Sequence, residues 1–262
     1  MHSYSYRNLT INALLLMVIA AIVEMILHEL GHFFCALYFH ASALSLHHNY
    51  VNFDENSLSI FQRIWIAAAG PIISLCIGVI FHFIVTQQKS RNYFFLFNCY
   101  FAGHGYIGFF GYLMIAPIAA EGDTGFIMHQ LKFPVYITIV IALIATLILR
   151  KFIQTITKYI MEFATLEIYQ DAALRKKYAK SVLLYPIYLG LIIIILMNLP
   201  VPIWISLMAP FSIFSFFFAF GEALKKDYTQ IRFNTNDVAL FKIQPAIIVS
   251  FVLVLIINRL LV

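Results

Sequence analysis

Residues 9–39 read LTINALLLMVIAAIVEMILHELGHFFCALYF. The first fifteen, 9–23, carry no ionisable side chain, and the apolar character continues to Phe39. A bilayer span takes about 20 predominantly apolar residues, so this stretch reads as a membrane helix. Into it are set Glu24, His28, Glu29 and His32. Ionisable groups at membrane depth cost about 2.5–3.5 kcal/mol each on insertion scales and therefore mark a function. His28-Glu29-Leu30-Gly31-His32 is an H-E-x-x-H pattern. At about 100° per residue its two histidines lie about 40° apart, on one helix face, where both can ligate one metal ion. Glu29 projects beside them and can take a proton from a metal-bound water. Two imidazole ligands suit zinc. A polar helix end with snorkelling histidines is the plainer reading, but it leaves the ligand spacing unexplained.

The rest of the chain is of the same kind. It has 262 residues, 62% of them hydrophobic and 11% charged, where a soluble domain is about half apolar and about a quarter charged. That composition excludes a soluble enzyme, a disordered tail and a collagen-like fibre. Seven apolar segments stand out, at 9–39, 60–86, 93–118, 133–150, 182–199, 201–220 and 243–262. Alternating barrel patterning is absent, so the expectation is an all-α polytopic membrane protein of about six to seven transmembrane helices. Asn198-Leu199-Pro200-Val201-Pro202 reads as a tight turn between antiparallel helices. The first apolar run is too long for a signal peptide and reads as an uncleaved first span. Cys35, Cys76 and Cys99 sit in or beside apolar stretches and suggest no disulfide framework.

The net charge of +5 is assigned to membrane orientation rather than to nucleic acid. With the amino terminus inside, 14 of the 17 basic residues fall in inside loops, and Arg63, Lys132 and Arg259 remain outside. Two connectors, 151–181 and 221–242, are then cytoplasmic. In the first, Phe152, Ile156, Tyr159, Ile160 and Phe163 share one helical face, with Lys158 and Glu162 opposite, so a helix continuing from the fourth span is expected. Residues 40–59 read as a short interfacial hairpin.

A zinc hydrolase site needs a third protein ligand. His28 and His32 lie late in the first span, so the end of the third span faces the same side. There Asp123 is the first choice and Glu121 the runner-up. Glu24, one turn before His28, is placed to accept a hydrogen bond from its free ring nitrogen. His104, among Gly103, Gly105, Gly108 and Gly111, lines the site or bonds across helices. His47, His48 and His129 are alternative ligands on the same side, and His82 lies near the opposite face.

The H-E-x-x-H sequence, with Ala67-Ala68-Ala69-Gly70-Pro71 some forty residues later, resembles the site-2 protease family of intramembrane zinc metalloproteases. Gly70 and Pro71 match that family's Gly-Pro element. Pro117 matches the proline of its Asn-x-x-Pro-x-x-x-x-Asp-Gly element, but Met114 stands at the asparagine and Asp123 comes one residue late, followed by Thr124. The resemblance spans roughly residues 10–130. It implies a three-helix catalytic core in 1–132 carrying the hairpin at 40–59, with additional transmembrane helices in 133–262. It also implies one zinc ion per chain, held by His28, His32 and Asp123, and Glu29 as general base. The implied activity is peptide-bond hydrolysis in a transmembrane or membrane-associated protein substrate, within or near the lipid bilayer. A helical substrate has its carbonyls bonded internally and must unwind locally, and an added strand on the 43–53 hairpin is the expected docking mode. No loop is long enough for an appended filtering domain, which leaves that task to a separate adaptor protein. Two other readings stand beside this one. One is a non-catalytic scaffold or transporter with a retained zinc motif. The other is a diiron lipid-modifying enzyme, for which His47-His48 is the only hint of a histidine box.

Overall fold

The computed structural model describes residues 5–201, 208–225, 233–234 and 240–262. Pro202, part of the 201–220 segment and most of the 221–242 connector lie outside them. The described chain is all-α apart from one hairpin. α1 (Tyr6–Tyr38) is followed by β1 (Ser45–Leu46) and β2 (Val51–Asn52), then α2 (Ile60–Gln87), α3 (Tyr93–Ile115) and α4 (Asp123–Gln130). After these come α5 (Val135–Glu162), α6 (Leu166–Gln170), α7 (Ala172–Ala179), a π-helical turn at Lys180–Leu184, and α8 (Tyr185–Asn198). A 3₁₀ segment (Ala209–Phe216) leads into α9 (Phe217–Ala223), and α10 (Pro245–Leu260) is the last helix.

Local chemistry sets the helix starts. α2 opens with a capping box, in which the Ser59 hydroxyl accepts from the Gln62 N–H and the Gln62 side chain accepts from the Ser59 N–H. Asn92 caps α3 by accepting from the Phe95 N–H, Pro134 precedes α5, and Asp171 accepts from two N–H groups at the start of α7.

Among the described residues, four helical stretches are long and apolar enough to cross a membrane: Tyr6–Tyr38, Ile60–Gln87, Val135–Glu162 and the continuous Ala172–Asn198. Two shorter apolar helices, Ala209–Ala223 and Pro245–Leu260, are not. α3, at 23 residues, is almost wholly buried along its first two-thirds, packed between α1, α2 and α5. Burial ranks the elements. Of the most apolar window, 61% is buried in α1 and 22% in α5, so α1 is a central helix and α5 a peripheral one.

In lipid, apolar surface alone does not hold helices together, and close backbone approach through small residues takes over. α1, α2 and α3 show it. A side chain at Gly31 would come within 2.9 Å of the Ala69 carbonyl oxygen, and one at Gly105 within 2.4 Å of the Gly78 nitrogen. The far end of the bundle is pinned by a buried ion pair, Arg91 with Glu162, in which Arg91 also lies 4.3 Å over the Phe95 ring. α5 does run on through 151–162, with Ile153, Ile156 and Ile160 buried. Glu162, expected on its exposed face with Lys158, is instead buried. Arg91, from the α2–α3 connection, is the reason.

The hairpin pairs Ser45 with Asn52 and Leu46 with Val51, around a His48-Asn49 turn. It is tied to the end of α8. The Asn198 carbonyl accepts from His48 Nε2 (3.1 Å) and Asn49 Nδ2 (2.7 Å), while Arg259 donates to the Leu196 and Leu199 carbonyls. The last carbonyls of a helix have no partner within it. Here a hairpin tip and an arginine from α10 supply the donors.

Candidate metal centre

α1 carries His28, Glu29 and His32, all buried. Their donor atoms lie within 4.8 Å of one another, close enough to hold one metal ion. The structure commits the Nδ1 side of each imidazole to an outer partner. His32 Nδ1 donates to the Ile66 carbonyl at 2.6 Å. His28 Nδ1 lies 2.9 Å from Ser74 Oγ, and the Ser74 hydroxyl donates in turn to Glu24 Oε1. The serine hydrogen is thus spent on Glu24, so its oxygen accepts from His28. The relay runs His28 to Ser74 to Glu24. A direct bond from His28 to Glu24, expected from the sequence, is replaced by this relay because α2 inserts Ser74 between them.

With both Nδ1 atoms donating, both Nε2 lone pairs are free, and they converge on Asp123. Its Oδ2 is 3.0 Å from His28 Nε2 and 3.4 Å from His32 Nε2. Metal–ligand bonds of about 2.0–2.1 Å at tetrahedral angles put neighbouring ligand atoms about 3.3 Å apart. Three acceptors facing one another at these spacings repel unless a cation lies among them, so the residues fit a metal ion.

Backbone geometry keeps the space in front of the histidines clear. A Cβ at Gly70 would stand 2.2 Å from His32 Nε2 and 2.6 Å from His28 Nε2. Only glycine lets α2 pass there. Pro71 is buried inside α2 and has no N–H for the Ala67 carbonyl, and Ala67 lines the adjoining cavity. Asp123 is the first residue of α4, behind Gly122, and a Cβ at Gly125 would overlap the Ala119 carbonyl at 1.9 Å. That close turn swings Asp123 back toward α1. Pro117 lies in the turn between α3 and α4. Glu121 is exposed and lines the cavity, with no bond to either histidine.

His104 is buried, edge-on to Phe216 at 5.1 Å, and lines the same cavity. His48 is bound to Asn198, His47 stacks on Tyr50, and His129 is exposed in the last turn of α4. His82 bonds to Tyr106 near the other end of α2. Two contributors, Ser74 and Tyr112, escaped the sequence reading, and Gly108 enters it only among the packing glycines around His104. Ser74 carries the relay. Tyr112 stacks on His28, ring centroids 5.1 Å apart. Gly108 leaves room for Glu24, whose Oε1 a Cβ there would meet at 2.2 Å. Ser74 stands one turn after Gly70, the one signal that it shares the metal-facing side of α2.

The site opens into a cavity of about 990 Å³. One wall is the β2 side of the hairpin, with Tyr50, Val51 and Phe53; another is the aromatic segment with Phe211, Phe214 and Phe218. Comparison with protein-family models, curated proteins and solved structures finds no match to this chain.

Proposed function

We propose that this chain is an intramembrane zinc metalloprotease of the site-2 protease kind, a multi-pass protein whose three-helix core is α1, α2 and α3. The observation that carries the proposal is the convergence of His28 Nε2, His32 Nε2 and Asp123 Oδ2 with both histidine tautomers fixed from behind. The H-E-x-x-H and Gly-Pro elements support it, since Gly70 is the residue against which the two imidazoles lie.

His28, His32 and Asp123 would hold the zinc ion, one per chain. When bound, zinc polarises a carbonyl and makes water a stronger acid. Glu29 is buried beside the ligand atoms without being needed as one. Its task is to take the proton of the attacking water and deliver it to the leaving amine nitrogen. Glu24 and Ser74 hold the His28 ring in one orientation, as hydrogen-bonded partners behind ligating histidines do. The substrate is a transmembrane or membrane-associated protein segment. Its carbonyls are bonded internally while it is helical, so it has to be extended locally before attack. The cavity offers β2 as a template on one side and an apolar aromatic wall on the other. A separate adaptor protein is left to select among substrates.

The test is metal content of the detergent-purified protein together with cleavage of a co-expressed single-span reporter. The expected result is about one zinc per chain, lost in His28→Ala and Asp123→Ala and kept in Glu121→Ala. Glu29→Gln keeps the zinc and loses cleavage. Cleavage retained in Glu29→Gln would leave the scaffold reading. Two irons per chain would redirect the assignment to lipid oxidation. No metal after zinc-replete purification would overturn it.

A further inference from the structure

A second cavity, of about 320 Å³, lies at the other end of the molecule, about 30 Å along α1 from His28. It opens in the seam between the first turn of α1 and the junction of α7 with α8. Its walls bring together Arg7 and Thr10 from α1, Lys177 from α7, Lys180 and Ser181 from the π-helical turn, and Tyr185 at the start of α8. Three cations and four hydroxyl-bearing side chains, counting Tyr6, line it, and among the described residues no carboxylate does. None of the three cations forms an ion pair among the described residues. Lys177 rests 4.5 Å over the Tyr6 ring, which orients it without neutralising it.

Two features of the backbone favour an anion there. α1 begins with no acid in its first turn and no side-chain cap from Ser5, so the positive end of its dipole is unanswered. The π-helical turn is an uncommon irregularity that interrupts an otherwise continuous helical run, a kind of departure that often accompanies function. It puts Lys180 and Ser181 in successive positions on the cavity wall. Tyr185 is 45% exposed beside them, an amphipathic ring of the kind found at headgroup depth. This end also gathers Arg91, Lys242 and the Arg175-Lys176-Lys177 run, and on the charge rule it is the side that faces anionic lipid in the cytoplasmic leaflet.

We propose that this seam is a binding site for an anionic phosphate ester, occupied by the headgroup of an acidic phospholipid. Arg7, Lys177 and Lys180 would pair the phosphate oxygens, and the hydroxyls of Thr10 and Ser181 would donate to those left over. The inference does not depend on the zinc reading.

The experiment is native mass spectrometry of the full chain, released from vesicles of phosphatidylglycerol and phosphatidylcholine, with affinity then measured by lipid titration in detergent. Wild type is expected to retain phosphatidylglycerol over phosphatidylcholine. Lys177→Gln/Lys180→Gln should weaken that binding roughly fivefold per charge removed, while Lys177→Arg/Lys180→Arg restores it. Lys89→Gln/Lys158→Gln removes the same charge at the same end, beside the Arg91–Glu162 pair, and should leave binding unchanged. Thermal midpoint and gel-filtration profile show that each variant is folded. Equal loss in both Gln pairs would reduce the effect to diffuse attraction and overturn the site. Equal retention in the Lys177/Lys180 pair and wild type would overturn it too. Inorganic phosphate and glycerol 3-phosphate form the second arm. Saturation by either, with no preference for phosphatidylglycerol, would assign the cavity to a soluble phosphate ester and overturn the lipid occupant.

Discussion

At Gly70 the absence of one carbon atom decides whether two histidines can face the same point. A methyl group would fall 2.2 Å from one imidazole nitrogen and 2.6 Å from the other, well inside van der Waals contact. Gly70→Ala is therefore expected to displace both rings and lower zinc affinity by more than about tenfold, measured by competition with a chromophoric chelator. Ser74→Ala acts from behind the ring. It removes the acceptor of the His28 Nδ1–H and strands Glu24, with an expected loss of about 10–100-fold in metal affinity. Unchanged affinity in Ser74→Ala would mean that the relay has no bearing on the metal. The H-E-x-x-H pair could be found in one sequence because both histidines sit on one helix, where spacing alone fixes direction. Ser74, Tyr112 and Gly108 belong to neighbouring helices. Their roles depend on how α2 and α3 rotate against α1, which no local pattern records.

Among the elements, the hairpin joins chemistry to architecture. One surface lines the cavity, and its turn ends α8. His48 is buried there, donating through Nε2 to Asn198, while its Nδ1 has no hydrogen-bond partner among the described residues and Arg259 stands nearby. Burial, the largest cause, lowers the pKa of the ring, and Arg259 and His47 add to it against the opposing bond to Asn198. A lowered histidine pKa means that the undocked hairpin binds a proton more readily than the docked one. Its docking is then intact above about pH 6.5 and weakens as pH falls through that value. Hydrogen exchange of residues 45–52 should accelerate between pH 7.5 and 5.5 beyond the intrinsic rate change, and His48→Gln should flatten the difference. An equal response in the variant would move the effect to another group. The hairpin's other side is tested by Val51→Pro, which takes one N–H from β2. If an extended substrate adds to that strand, reporter cleavage falls by about tenfold while zinc content is kept. Unchanged cleavage would remove the docking role.

Over the whole molecule, the apolar segments were legible because membrane helices are long and uniformly apolar, and such runs need no partner to be recognised. Helix ends outside the apolar runs were less so. α5 runs twelve residues past the 133–150 segment, to Glu162, and its burial there follows from Arg91, which arrives from a different connection. The same contacts sort the chain into two ends. Lys177 meets Tyr6, Arg91 meets Glu162, and Asn8 and Asn12 donate to Phe241 and Lys242, so the segments holding most of the basic residues lie together. His28, Gly70 and Asp123 lie at the other end. On the rule that lysine and arginine cluster on the cytoplasmic side, we propose that the metal centre faces the opposite side. Single cysteines introduced after Cys35, Cys76 and Cys99 are replaced can check this. Asn56→Cys, exposed near the hairpin, is expected to react with a membrane-impermeant maleimide in intact cells. Ser90→Cys, exposed between α2 and α3, should react only after permeabilisation. The reverse pattern would turn the site toward the cytoplasm and put the basic end outside, against the charge rule. Reaction of both from one side would mean that α2 does not cross the bilayer, and its 28 mostly apolar residues would then have to lie along the surface or fold back within it.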